Sequence, residues 1–553
     1  MGGMGLWTRL RGRFGRHGRR LRATARERFG WQTLRPGQQE AMEHLLRGRD
    51  VLLVMPTGGG KSAVYQVPAL LLDGPAIVVS PLIALQRDQV AGLLRADAGG
   101  AVAVNSTSSV EAGLEKVTAG DAAFVFLSPE QLAKPDVVER LAQVRPSLIA
   151  IDEAHCVSSW GHDFRPDYLR LGKVIERLGH PPVVALTATA APNVREEIVR
   201  SLGLTRPATL VRGFDRPNLS LEVRRFAREE DKRRALVEYA ASREGLGLVY
   251  VATRKAAEEY AAELAGRGRR AEPYHAGMRG AARTRVHELF TAGEVDTVVA
   301  TSAFGMGIDR PDVRYVLHAA PPESPDAYYQ EIGRAGRDGQ PASAVLFYRQ
   351  EDLGLRRFFT GGRADAEALL RVATLVREHA GTVPAGELAE LLKLSTSHLS
   401  RLVNLLERAG ALTVTGTGDL RYAPGGPEPE RAAARAAELD ETRRRVDDSR
   451  IDMMRGYAET RGCRRRFLLA YFGEPYAAAS CGACDTCENG DAPEPPPPAR
   501  DRGEFPVQAK VTHKLWGQGT VMSREHDRIT VLFDSVGYKT LSLAVVGDVL
   551  RPL

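Results

Sequence analysis

The chain has 553 residues, 43% of them hydrophobic, enough apolar material for several cores and about three to five folded units. No apolar run is long enough to cross a bilayer and no apolar core follows the N-terminal charges, so neither a membrane span nor a secretion signal is expected, and an intracellular protein is. The formal charge of +7 is local: residues 1–30 hold nine Arg and one acid, which leaves the rest of the chain near neutral. Residues 1–28 read as a basic, disordered arm; a nucleic-acid arm and a targeting peptide are the other readings of such a run.

From 29 to 211, apolar runs at 51–54, 77–79, 124–127, 148–151 and 183–186 alternate with polar, helix-like stretches. Such runs are strands buried on both faces, the mark of a parallel sheet covered by helices. A second series at 247–251, 297–300, 313–317 and 344–347 falls within 212–362, so two consecutive α/β domains are expected. Residues 363–425 turn helical and end in a hairpin, 412–415 against 420–422, which suggests a winged helix. A helical pair with a cysteine cluster occupies 426–490 and a Pro-rich linker 491–504. Period-two alternation between Gly-rich turns in 505–553 fits a small SH3-like or Tudor-like barrel.

The segment Met55-Pro-Thr-Gly-Gly-Gly-Lys-Ser62 follows a buried strand and precedes a helix, the setting a phosphate-binding loop requires. Thr57, Gly58, Gly59 and Gly60 let backbone N–H groups close on phosphate oxygens, Lys61 supplies a point charge, and Ser62 can ligate Mg²⁺. The strand at 148–151 delivers Asp152-Glu153-Ala154-His155, in which Asp152 would hold Mg²⁺ and Glu153 would polarise the attacking water. The pair of motifs points to nucleotide hydrolysis. His155, in that tetrad, would couple the site to the neighbouring domain.

Cysteine use points to a metal. Cys463, Cys481, Cys484 and Cys487 offer four thiolates, the count of a closed tetrahedral Zn²⁺ site, with an iron–sulfur cluster as the alternative. Cys156 stands apart and reads as a small packed residue.

The ordered series Phe29-Gly-Trp31, Arg35-Pro-Gly-Gln38, Ser80-Pro-Leu82, the Asp152 tetrad, Ala185-Leu-Thr-Ala-Thr189, Thr301-Ser-Ala-Phe-Gly-Met-Gly-Ile308 and Gln330-Glu-Ile-Gly-Arg-Ala-Gly-Arg337 resembles that of RecQ helicases of superfamily 2. The resemblance spans about 29–348 and again about 443–487, where the cysteine spacing matches the RecQ zinc module. It implies two RecA-like domains clamping ATP and Mg²⁺, with Arg334 and Arg337 reaching across the cleft. It also implies Gln38 reading the adenine edge beside Arg35, with Trp31 stacked on the base; core packing is the other reading of Trp31. The aromatic, basic loop carrying Trp160, His162, Phe164 and Arg165 resembles the RecQ loop that meets unpaired bases.

The implied activity is 3′-to-5′ translocation on single-stranded DNA with unwinding of duplex or branched DNA in recombination and repair, in a bacterial cytoplasm or nucleoid. An RNA helicase, or a DNA-binding or RNA-polymerase-associated scaffold, are the alternatives. The winged helix stands ahead of the zinc region, where family members commonly place one after it. Residues 395–401 would start its recognition helix and 415–421 its wing, either facing DNA or packed on protein. The C-terminal barrel resembles the module ending UvrD-type helicases, where such modules can contact RNA polymerase.

Overall fold

The computed structural model describes residues 4–105, 110–158, 165–304, 310–360, 362–379, 381–415, 418–478, 480–490, 505–525 and 527–553. Its first sheet contains β1 (Val51–Val54), β2 (Ala76–Val79), β3 (Ala101–Val104), β4 (Phe124–Leu127), β5 (Leu148–Ile151), β6 (Val183–Thr187) and β7 (Ala208–Val211). They lie in the order β3-β4-β2-β5-β6-β1-β7 and every pairing is parallel. Helices cover both faces, which is why β1, β2, β4, β5 and β6 are buried at every position. The carboxyl ends of β1 and β5, with β6 between them, open onto one crevice.

A second parallel sheet contains β8 (Leu219–Arg225), β9 (Leu246–Tyr250), β10 (Ala271–Tyr274), β11 (Thr297–Ala300), β12 (Val313–His318) and β13 (Ala342–Tyr348), in the order β10-β11-β9-β12-β13-β8. The two expected α/β domains are therefore present.

The expected disordered arm is a correction: Met4–Phe29 is one helix. Leu21 and Ala25, four residues apart, are fully buried in one cluster with Met42, Ala63 and Val67. That spacing puts both on one helical face, and their burial outweighs the local charge that suggested disorder.

Helices Ala366–Glu378, Ala385–Leu392 and Thr396–Arg408 share a core with the antiparallel pair β14 (Leu412–Val414) and β15 (Leu420–Tyr422). The long helix Pro429–Glu459 packs along this unit and leads to a short helix, Arg464–Tyr471. Two contacts fix the orientation of Thr396–Arg408. Arg401 donates to both carboxylate oxygens of Asp440, at 2.8 and 3.1 Å, and Glu407 pairs with Arg170 of the first domain at 3.2 Å.

The C-terminal sheet, β16 (Lys510–His513), β17 (Gly517–Arg524), β18 (Arg528–Phe533), β19 (Gly537–Ser542) and β20 (Leu550–Pro552), is antiparallel in the order β19-β18-β17-β16-β20. It has its own core, which includes Val511, Val521, Ile529, Val531 and Phe533. It is docked on the first domain and the helices that follow the second rather than standing apart. Tyr538 stacks on Tyr471 at 4.6 Å, its N–H donates to Ser449 Oγ at 3.0 Å, and Lys510 pairs with Glu196 at 2.6 Å. A side chain at Gly537 would collide with Ser449, so glycine is needed there for the approach. Among the described residues, no helix is long and apolar enough to cross a membrane.

Candidate nucleotide site and cysteine cluster

The loop 55–62 leaves β1 and enters helix Ala63–Ala69. Gly58 and Gly60 have φ of 77° and 78°, the left-handed region that disfavours side chains. A Cβ on Gly60 would lie 2.5 Å from Gln38 Nε2, and one on Gly58 2.9 Å from Arg337 Cγ. Among the described residues, the N–H groups of Gly60 and Lys61 take no carbonyl partner and Thr57 Oγ1 is buried with no hydrogen-bond partner. A loop of glycines with open donors beside Lys61 fits an anionic phosphate chain.

Gln38 is committed to this loop. Its amide donates to Gly60 O at 2.9 Å and Gly59 O at 3.2 Å, and its carbonyl accepts from Arg35 N–H at 2.7 Å. Arg35 also donates to Gly58 O. Trp31 stacks on Phe29 at 4.5 Å and is half-buried. Gln38 and Arg35 therefore sit on the phosphate loop, whereas Trp31 and Phe29 pack against the cluster of Leu21, Ala25 and Met42.

Asp152 sits at the end of β5, its N–H donating to Val79 O at 2.8 Å and its backbone carbonyl accepting from Tyr168 at 3.0 Å. Burial and then the neighbouring Glu153 raise its carboxyl to about 7, with the Lys61 charge opposing. A cation beside these groups would relieve that cost, so the half-buried carboxylate suits Mg²⁺, with Ser62 at the end of the phosphate loop as a further candidate ligand. Glu153 has φ 47°, unusual for a side-chain-bearing residue, and this turns its carboxylate back toward His155. His155 Nδ1 lies 3.4 Å from Glu153 Oε2 and 3.0 Å from Thr187 Oγ1. Thr187 Oγ1 donates its one proton to Thr189 O at 2.9 Å, so Nδ1 must be the donor toward Thr187. His155 thereby joins the Asp152 tetrad to the Ala185–Thr189 motif.

The second domain faces this loop with the Gln330–Arg337 motif. The aliphatic stem of Arg337 lies against Gly58, whereas Arg334 is 5% exposed and hydrogen-bonds the Tyr250 phenol, which both arginines approach. Sequence reading missed the residues that seat this motif. Arg216 donates to Gly333 O at 3.1 Å, Ala335 O at 2.8 Å and Gly336 O at 3.0 Å, and Asn218 donates to Gly336 O at 2.8 Å. The run Asp215-Arg-Pro-Asn218, polar residues around a proline between two strands, was the available signal.

Of the aromatic loop, Trp160, His162 and Phe164 lie outside the described residues, as does 305–309 of the Thr301 motif. Arg165 is described: its guanidinium donates to Pro81 O at 3.3 Å and its N–H to Cys156 O at 2.9 Å. It thus connects the loop to the Ser80–Leu82 motif, and Cys156 is wholly buried in the first domain's core.

The sulfurs of Cys463, Cys481, Cys484 and Cys487 lie within 4.8 Å of one another. Hydrogen bonds from Cys463, then Thr486 and nearby backbone N–H groups, pull the Cys484 thiol far down, toward thiolate. Four converging sulfurs, one already favouring its anion, suit a tetrahedral zinc. The cluster is stitched to the second sheet, Leu221 N–H donating to Ala483 O at 3.0 Å and Val223 N–H to Asp485 at 3.1 Å.

Two parallel-sheet domains with a phosphate loop on one and paired arginines on the other define a two-domain nucleotide-driven motor of the superfamily 2 helicase type. Residues 35–197 match the DEAD/DEAH box helicase family, 231–339 the helicase conserved C-terminal domain and 430–488 the RecQ zinc-binding family. The probable ATP-dependent DNA helicase RecS of Bacillus subtilis is 41% identical over 341 residues, covering 61% of this chain and 68% of that protein. The ATP-dependent DNA helicase RecQ of Haemophilus influenzae is 35% identical over 464 residues, 83% of this chain and 62% of that protein. The chain belongs to the RecQ family. It spans about half to two thirds of the length of the bacterial relatives it matches. In fold alone it is similar to the crystal structure of the helicase MrfA bound to DNA, at 16% identity and TM-score 0.51, over 74% of this chain and 59% of that one.

Proposed function

We propose that this chain is an ATP-dependent DNA helicase that moves 3′ to 5′ on single-stranded DNA and separates duplex or branched DNA in recombination and repair, in the bacterial cytoplasm or nucleoid. The observation that carries it is the aliphatic stem of Arg337 lying against Gly58, which brings an arginine of one domain next to the phosphate loop of the other and supports a role for it there. Lys61, Gly58, Gly59, Gly60 and Thr57 would hold the phosphates, and Glu153 would orient the attacking water. Bound Mg²⁺, on Ser62 and Asp152, would neutralise charge developing on the phosphates. With both faces engaging ATP, each turnover would change the spacing of the two domains and hence their grip on a DNA backbone.

Gln38, through its bonds to Gly59 and Gly60, would report an adenine to the phosphate loop, with Arg35 beside it and Trp31 flanking the base. Trp160, His162, Phe164 and Arg165 would take unpaired bases and phosphates, and the link from Arg165 to Pro81 supports a path from that loop into the motor. We assign residues 29–211 and 212–362 as the motor domains, 363–425 as a winged helix, 426–490 as the zinc module, 491–504 as a linker and 505–553 as an SH3-like or Tudor-like barrel. Three helices followed by a two-stranded hairpin support the winged helix, and a five-stranded antiparallel sheet around its own core supports the barrel. With Arg401 tied to Asp440, that residue is not offered to DNA, which favours the packing reading for this part of the unit. A partner such as RNA polymerase would have to use the barrel's outer surface, since the start of β19, Gly537 and Tyr538, is covered by the long helix.

The test is unwinding of matched duplexes with 3′ or 5′ single-stranded tails of DNA, beside RNA counterparts. Strand separation confined to 3′-tailed DNA is expected. Equal or better unwinding of RNA would favour the RNA-helicase reading.

A further inference from the structure

The segment between β7 and β8 crosses from one domain to the other and carries the half-buried Arg216. All of its hydrogen bonds go to backbone carbonyls. Besides Gly333, Ala335 and Gly336 in the arginine motif, it reaches Thr57 O in the phosphate loop at 3.5 Å. Among the described residues, Arg216 has no carboxylate partner. A planar guanidinium is the one side chain whose forked donors can hold several converging carbonyls at once. The turn it holds has no slack: Gly336 has φ 59°, and a Cβ there would lie 2.9 Å from Gln340 O.

Arg216 is itself held from the cysteine module. Arg465, two residues beyond Cys463, donates to Asp215 Oδ1 at 2.6 Å, to Arg216 O at 2.6 Å and to Leu219 O at 2.7 Å. Phe472 stacks on Phe214 at 4.4 Å, and Glu474 accepts the Phe214 N–H at 2.6 Å. Arg465 thus clasps the backbone on both sides of Pro217, and a rigid path of direct contacts runs from the sulfur cluster to the turn bearing Arg334 and Arg337.

We propose that Arg216 is a positioning residue for ATP hydrolysis, seating the Gly333–Gly336 turn so that Arg337 meets the phosphate loop, and that Arg465 of the cysteine module holds Arg216 in place. The inference rests on the motor reading above. Its physical basis is the steepness of charge stabilisation with geometry: a misplacement of about 1 Å can cost about a hundredfold in rate. Loss of the clasp therefore acts on turnover more than on ATP affinity, because the phosphate loop keeps its bonds to Gln38 and Arg35 and loses only the long one from Arg216 to Thr57 O.

The test is steady-state ATP hydrolysis with saturating single-stranded DNA for the full-length wild type, Arg216→Ala, Arg216→Lys, Arg465→Ala, the Arg216→Ala/Arg465→Ala double variant and Lys61→Ala, with zinc content and thermal unfolding measured on each. Expected is a kcat lower by about tenfold or more in each Arg216 and Arg465 variant, with KM for ATP within about threefold of wild type. Zinc should remain at about one per chain. Lysine should not rescue, since one ammonium cannot bridge the same carbonyls, and the double variant should be no worse than the worse single one. If Arg216→Ala loses its cooperative transition, Arg216→Lys carries the same test. A kcat within about twofold of wild type in a folded Arg216 variant, or losses that multiply in the double variant, would overturn the proposal. Wild type without DNA-stimulated hydrolysis would instead contradict the motor reading, whereas wild type active and Lys61→Ala inactive isolates the result to Arg216.

Discussion

Arg337→Ala is expected to hydrolyse ATP about 10³–10⁵-fold more slowly than wild type with single-stranded DNA present, the range measured when an arginine that meets the transferring phosphate is removed. The two arginines of the motif are not equivalent. Arg337 lies over Gly58 at the phosphate loop, while Arg334 is buried beside Tyr250 in its own domain. A surface arginine contributes almost nothing, so the size of the loss separates the two cases. Arg334→Ala should in addition lower thermal stability, because it empties a buried position. The check is DNA-stimulated turnover and the unfolding midpoint for both variants; Arg337→Ala with near-normal turnover would remove it from the site.

Stripping the metal from the four cysteines is expected to lower the unfolding midpoint by about 10 °C or more and to abolish DNA-stimulated hydrolysis. The module has little apolar core of its own. Its cysteines instead pack into the second domain's core, and Ala483 and Asp485 complete the exposed edge of β8. Without a metal, four sulfurs held within 4.8 Å have nothing to offset their crowding, and the Arg464–Asp485 and Arg465–Asp215 pairs lose the frame that aligns them. Cys484→Ser should reproduce the effect of a chelator, since it removes one of the four converging sulfurs. Calorimetry with parallel zinc determination is the measurement. An unchanged midpoint in protein shown to be metal-free would contradict the structural role.

The sequence made the interior of both sheets legible and hid their borders. Every strand foreseen from an apolar run is a central one, and the four that were not, β3, β7, β8 and β10, are the four edges. Central strands are buried on both faces and so carry uninterrupted apolar runs. β10, Ala-Glu-Pro-Tyr, is nowhere fully buried and tolerates a proline, and β8 alternates buried with half-buried positions. The N-terminal helix was hidden differently. Nine arginines dominate its composition, while among the described side chains its fully buried apolar anchors are Leu21 and Ala25.

The candidate site was legible where side chains carry the chemistry in short runs, as in 55–62, 152–155 and 330–337. It was illegible where the chemistry lies in backbone carbonyls. Arg216 is 117 to 120 residues from the turn it holds, and Arg465 is 249 residues from Arg216. A carbonyl leaves no trace in residue type, so no local pattern announces such a clasp. The docking of the C-terminal sheet was equally hidden. It depends on Gly537, Tyr538 and Ser449, three ordinary residues whose spacing in the chain says nothing of their contact.

The central claim is that ATP turnover here is driven by DNA and spent on strand separation. The most direct test is ATP hydrolysis by wild type and Lys61→Ala, with and without single-stranded DNA, in the same preparations used to unwind a 3′-tailed duplex. Strong stimulation by DNA together with strand separation, both lost in Lys61→Ala, is the predicted result; hydrolysis indifferent to DNA, or no strand separation by an enzyme that hydrolyses ATP, would contradict it.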